Sequence, residues 1–160
     1  MRSSFYNNLK FHEYITAMIE NIPHKILVVE DDEIDAMAIE RTFKRNYPQT
    51  HLIRVENGQD ALDFLKANPY PDLILMDIRM PLLDGRETLH IIKQDERLKL
   101  IPVIMTSTSD NEDDIKFCYA NHASGYIIKP NGLKSFDDMV KSIVGYWFQN
   151  CLMAHTQART

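Results

Sequence analysis

Four short apolar runs of this chain end in groups able to bind a cation or move a phosphoryl group. KILVV at 25–29 runs into Glu30-Asp31-Asp32, DLILM at 72–76 into Asp77, IPVIM at 101–105 into Thr106-Ser107-Thr108, and GYII at 125–128 into Lys129-Pro130. Carboxylates gathered from two distant stretches would force one of them to keep its proton unless a cation sat among them. Magnesium suits such a set, because it takes oxygen ligands, keeps several waters and binds through one or two carboxylates plus phosphate oxygens. An aspartate beside that ion can attack a phosphoryl group and become an acyl phosphate. Lys129 would bring a compact positive charge to the group in transit, and Ser107 a hydroxyl donor to one of its oxygens. Each piece also has an ordinary reading: a solvated acidic turn, a surface lysine, a serine that caps a helix. Their joint placement at successive strand ends is what points to one site.

Positioning these groups requires strands with helices between them. From Lys25 onward, apolar runs at 25–29, 51–55, 72–76, 101–105 and 125–128 alternate with stretches of helical period at 33–46, 58–67, 84–94, 110–121 and 133–150. That alternation builds a parallel sheet with helices on both faces, and unbroken runs such as LILM suit strands buried on both sides. The fold class expected is α/β, a doubly wound, five-stranded parallel sheet of flavodoxin-like order 2-1-3-4-5, which binds ligands beyond the carboxyl ends of its strands. In that order the first and third strands are neighbours, so Asp31 and Asp77 share a rim. Ser109 and Asp110 are expected to open the fourth helix, and Asp32 and Glu33 to start the first helix and not to bind metal.

The bulk of the chain narrows the function further. With 160 residues and a net charge of −5, it fits one domain with short extensions and lacks the basic run that holds nucleic acid. Cys118 and Cys151 have no metal-ligand or disulfide spacing, and no stretch reaches the roughly 18 apolar residues of a membrane span or has the layout of a signal peptide. A soluble protein of the reducing cytoplasm, without membrane or nucleic-acid partner, is the expectation. The domain is expected at 24–150, a polar tail at 151–160, and an extension at 1–23. In that extension Phe5, Leu9, His12, Ile15, Met18 and Ile22 recur at near-helical spacing, which fits either packing on the domain or a contact with a partner.

The stretches DIRMPLLDG at 77–85, Ser107-Thr108 and YIIKP at 126–130, with Glu30-Asp31 after the first strand, resemble bacterial two-component response-regulator receiver domains over residues 24 to 148. Separations agree too, with 46 residues from Asp31 to Asp77, 30 more to Ser107 and 22 more to Lys129. The resemblance implies that Asp77 is phosphorylated, that Asp31 and Asp77 bind Mg2+, and that Glu30 completes the acidic pocket mainly through metal-bound water. It implies that Arg79 offers the metal its backbone carbonyl, that Thr108 narrows access for the phosphoryl group, and that Ser107 and Tyr126 switch together. It also implies a cis bond before Pro130, and Gly85 reads as a tight turn. An aromatic at position 126 has a packing reading as well.

Within the family, STSDNEDDIKFCYANHASGYIIKP and the late YWF at 146–148 are similar to single-domain, phytochrome-associated regulators, which implies a sensor histidine kinase, a phytochrome, as the partner. The protein would then be no metabolic enzyme, catalysing only its own phosphorylation and dephosphorylation, with its output on the face formed by the fourth helix, fifth strand and fifth helix. Val140, Ile143, Val144, Trp147, Phe148 and Leu152 make a wide apolar stripe. It reads either as core or as the face of a homodimer through the last helix. The competing function is a receiver-like scaffold that binds partners without phosphorylation; it would be expected to lose a carboxylate or the lysine, and none is missing. An aspartate-nucleophile phosphatase would need Asp-x-Asp after its strand, whereas Asp77 is followed by Ile78 and Arg79. A nucleotide binder would need a glycine-rich loop where EDDEID stands.

Overall fold

The computed structural model describes residues 23–130, 133–151 and 153. The amphipathic segment before Pro23, Leu152 and the end of the polar tail lie outside the described residues. Five strands, β1 (Lys25–Val29), β2 (His51–Val55), β3 (Leu73–Asp77), β4 (Val103–Ser107) and β5 (Gly125–Ile128), alternate with five helices, α1 (Glu33–Asn46), α2 (Gly58–Ala67), α3 (Gly85–Gln94), α4 (Glu112–Ala120) and α5 (Leu133–Val144). The sheet is parallel throughout, in the order β2-β1-β3-β4-β5, as the alternation of runs predicts.

Because successive strand residues point to opposite faces, β1 feeds two cores. Leu27 and Val29 pack with Leu62, Leu65, Leu89 and Ile92 on the face of α2 and α3. Ile26 and Val28 pack with Ile39 and Phe43 of α1 and with Val140, Ile143 and Val144 of α5 on the other. The apolar stripe of the last helix is therefore core: Val140, Ile143, Val144 and Phe148 are all buried, and Trp147 packs beside them.

Several boundaries move from their expected places, each for a local reason. β4 begins at Val103 and not at Ile101, because Pro102 has no N–H for the ladder and only accepts, from the Ile74 N–H. α4 is capped by Asn111, whose side chain accepts from the Asp113 and Asp114 N–H groups, so it starts later than Ser109 and Asp110 suggest. The last helix is α-helical only to Val144 and continues as a π-helical turn over Gly145–Asn150, where the Asn150 side-chain amide donates to the Gly145 carbonyl. No cis peptide occurs among the described residues, so the Lys129–Pro130 bond is trans. A tertiary amide leaves the two isomers within about 0.5–1 kcal/mol, and residue identity does not choose between them.

Candidate phosphoacceptor site

Strand register assembles the site. Val29 lies opposite Met76, so the next residues along, Glu30 and Asp77, leave the sheet side by side. Asp77 pairs with Thr106 and Ser107 with Ile128, which puts Ser107 and Lys129 one step further out on the same rim. The Lys129 N–H donates to the Ser107 carbonyl at 2.7 Å, tying the last two strand ends together. Asp32 caps α1, its side chain accepting from the Ile34 and Asp35 N–H groups, as expected for a helix start. Arg54 of β2 donates from Nε to the Glu30 carbonyl at 3.1 Å and holds the turn after β1. Gly85 is required for a reason other than the expected tight turn. A Cβ there would lie 2.1 Å from the Asp77 carbonyl oxygen, while its φ is not left-handed. It is the close approach of α3 to the end of β3 that demands glycine.

A cavity of about 230 Å³ collects Glu30, Asp31, Asp32, Asp35, Asp77, Arg79, Ser107, Thr108 and Lys129. Every site residue expected from the sequence is here except Tyr126. At the centre is the Lys129 ammonium, 2.7 Å from Glu30 Oε2, 2.9 Å from Asp77 Oδ1 and 3.0 Å from Asp35 Oδ2. The lysine side chain is only 6% exposed. The second oxygen of Asp77 accepts from the Arg79 N–H at 2.9 Å, and Glu30 Oε1 accepts from the Asp32 N–H at 3.2 Å. The side chains of Asp31, Arg79 and Thr108 are exposed at the rim.

Burial raises Glu30 from the usual carboxylate range to about 7, even though Lys129 pulls it down. Burial also raises Asp77, again against Lys129. For Lys129, burial works to lower the ammonium, but its hydrogen bonds and attraction to Glu30 and Asp77 outweigh that and hold it above its ordinary value. One lysine therefore neutralises only part of the cluster. Carboxylate oxygens of Glu30, Asp31 and Asp77 lie within 4.8 Å of one another, an all-oxygen donor set with surplus negative charge, which fits a hard divalent cation.

Tyr126, on β5, does not line this cavity. Its hydroxyl donates to the Ser109 carbonyl at 3.0 Å, and the Ser109 N–H donates to Ser107 Oγ at 3.1 Å. Ser109 thus joins Ser107 to Tyr126. The residue that sequence reasoning missed is Asp35. It reads as a first-turn helical acid, and only the placement of α1 over the strand ends brings it to Lys129.

Comparison with known proteins agrees with this geometry. The family description "Response regulator receiver domain" matches residues 26–141. The chain is 38% identical over 130 residues to the probable methanogenesis regulatory protein FilR2 of Methanothrix harundinacea, covering 78% of this chain and 84% of that one. It is 38% identical over 135 residues to the response regulator Rcp1 of Synechocystis sp., covering 81% and 92%, and a crystal structure of Rcp1 in its Mn2+-bound form superimposes with a TM-score of 0.76 at 36% identity, over 82% and 99%. The crystal structure of the phosphorylated cyanobacterial phytochrome response regulator RcpA superimposes with a TM-score of 0.79 at 36% identity, over 82% of this chain and 99% of that one. With the flavodoxin-like order of strands and the acidic rim beside a buried lysine, these matches show that the chain belongs to the response-regulator receiver domain family.

Proposed function

We propose that the chain is a single-domain response regulator of a two-component phosphorelay, in which a sensor histidine kinase passes a phosphoryl group to Asp77. The observation that carries this reading is the Lys129 ammonium at 2.9 Å from Asp77 Oδ1, within a cavity that also holds Ser107 and the acidic cluster. A carboxylate oxygen of Asp77 attacks phosphorus. The new O–P bond forms as the bond from phosphorus to the donor imidazole nitrogen breaks, and the imidazole leaves with the electron pair. Lys129 and the Ser107 hydroxyl stabilise the oxygens of the group in transit. Asp31 and Asp77, the Arg79 backbone carbonyl, and Glu30 through water are the proposed holders of Mg2+, which when bound neutralises charge on that group. The protein has no other activity in this reading; water on the acyl phosphate resets it, with Thr108 at the rim limiting access.

The phosphoryl group adds about −1.5 to −2 charges and three acceptor oxygens. Drawing the Ser107 hydroxyl toward it disturbs the bond that Ser107 accepts from Ser109, and Ser109 also holds Tyr126. This chain of contacts supports Ser107 and Tyr126 as the switch pair, with a population shift on the α4–β5–α5 face as output. Similarity to RcpA supports a phytochrome as the kinase, and such a partner places the protein in the cytoplasm. Among the described residues no helix is long and apolar enough to cross a membrane. A homodimer through the last helix belongs to the same proposal. Since the apolar stripe is core, its contact would rest on Tyr146, 60% exposed.

The test is intact-mass analysis after incubation with acetyl phosphate and Mg2+. The expected result is a gain of one phosphoryl group that disappears with a chelator and in Asp77→Asn. No gain in a folded, metal-binding protein would instead favour a scaffold that reads partners without phosphorylation.

A further inference from the structure

The third contact of Lys129 has no part in the chemistry so far. An ammonium has three N–H donors, and here they face three carboxylates, Glu30, Asp77 and Asp35. Two of these, Glu30 and Asp77, belong to the oxygen cluster that fits a cation, and Asp35 does not. A carboxylate that gives electron density to a divalent ion holds a neighbouring ammonium less strongly. The phosphoryl group on Asp77 would change the same contact again. Asp35 is neither in that oxygen cluster nor the residue that takes the phosphoryl group. It is fixed by its own backbone, since its N–H donates to the Asp32 cap at 2.9 Å, and its side chain is 24% exposed.

We propose that Asp35 is a positioning residue that anchors the Lys129 ammonium from the α1 side, holding it at the phosphoacceptor when Glu30 and Asp77 are engaged elsewhere. The inference rests on the receiver reading of the site but makes a separate prediction. In the metal-free protein Lys129 keeps two carboxylates without Asp35, so losing Asp35 matters little. Once those two are shared with a cation, Asp35 becomes the main anchor. An ordinary role for Asp35 as a first-turn acid stabilised by the helix dipole gives no such dependence, and Glu33, an exposed acid of the same turn, provides the control.

The experiment compares wild type, Asp35→Asn and Glu33→Gln, each with and without Mg2+, by following the Lys129 side-chain nitrogen by NMR and the rate of phosphorylation by acetyl phosphate. In Asp35→Asn the Lys129 ammonium signal is expected to persist without Mg2+ and to broaden away with it. Phosphorylation at saturating Mg2+ should slow about fivefold, the scale of one partly exposed ion pair, with the donor KM unchanged. Glu33→Gln should do neither. A Lys129 signal in metal-loaded Asp35→Asn that matches wild type, or equal slowing in Glu33→Gln, overturns the anchor. If wild type itself takes up no phosphoryl group, the receiver chemistry fails, while the Lys129 signal with and without Mg2+ still decides the role of Asp35.

Discussion

Lys129 and Lys93 are both largely withdrawn from water, at opposite edges of the sheet, and burial leads them to opposite ends. Lys129 follows β5 at the carboxyl edge and meets Glu30, Asp35 and Asp77. Lys93, in the last turn of α3, donates at 2.6 Å to the Ile101 carbonyl and at 3.1 Å to the Lys99 carbonyl, just before β4. Among the described residues no carboxylate pairs with it, and burial lowers it to about 8, whereas the anions around Lys129 raise it. Neighbours, more than depth, decide whether a buried ammonium stays charged. The carboxyl edge keeps a permanent cation among surplus anions, an arrangement with poor self-sufficiency that suits ligand binding. The opposite edge uses a lysine as a clip for backbone carbonyls.

The strongest way to break this contrast is to remove each cation. Lys129→Met should lower the rate of phosphorylation of Asp77 by about 10²- to 10³-fold, the usual cost of losing one preorganised donor to a developing charge. Acetyl phosphate kinetics followed by mass spectrometry would read it, and a rate near wild type would strip Lys129 of its proposed role.

Lys93 sharpens the comparison through pH. Its unfolded value is 10.5 and its folded value about 8. Between these the unfolded chain binds more protons, so folding stability gains as pH rises from about 8 toward 10.5. Thermal melts should show wild type gaining on Lys93→Met over that window by a few degrees, where about 2–4 °C corresponds to 1 kcal/mol in a chain of this size. Parallel curves for the two proteins would mean that Lys93 carries no such penalty.

The smallest effect is expected at the rim. Thr108 is exposed on the lining of the cavity, so Thr108→Ala should speed loss of the phosphoryl group modestly while leaving its uptake unchanged. An unaltered lifetime would remove Thr108 from the access path.

Much of the candidate site was legible because its residues sit immediately after strands. Glu30-Asp31, Asp77, Ser107 and Lys129 need only the right strand order to meet, and that order follows from five alternating runs. Asp35 was not legible, because a single acid in the first turn of a helix is explained by the dipole alone. The requirement for Gly85 was legible as a glycine but not in its cause, which is the Asp77 carbonyl facing it.

The sequence by itself determined the fold class, the family and the kind of chemistry, since periodicity and residue type are local properties that survive without coordinates. Tertiary structure decided what depends on pairing between distant segments. The ladder drew Asp77, Thr106 and Ser107 into the strands and aligned their ends. The seat of α5 turned the last apolar stripe inward. Ser109 became the joint between Ser107 and Tyr126, and α1 carried Asp35 over the rim to Lys129. Apart from the local bond between Ser109 and Ser107, each is a contact across many residues of chain, set by packing and register, to which no local pattern is tied.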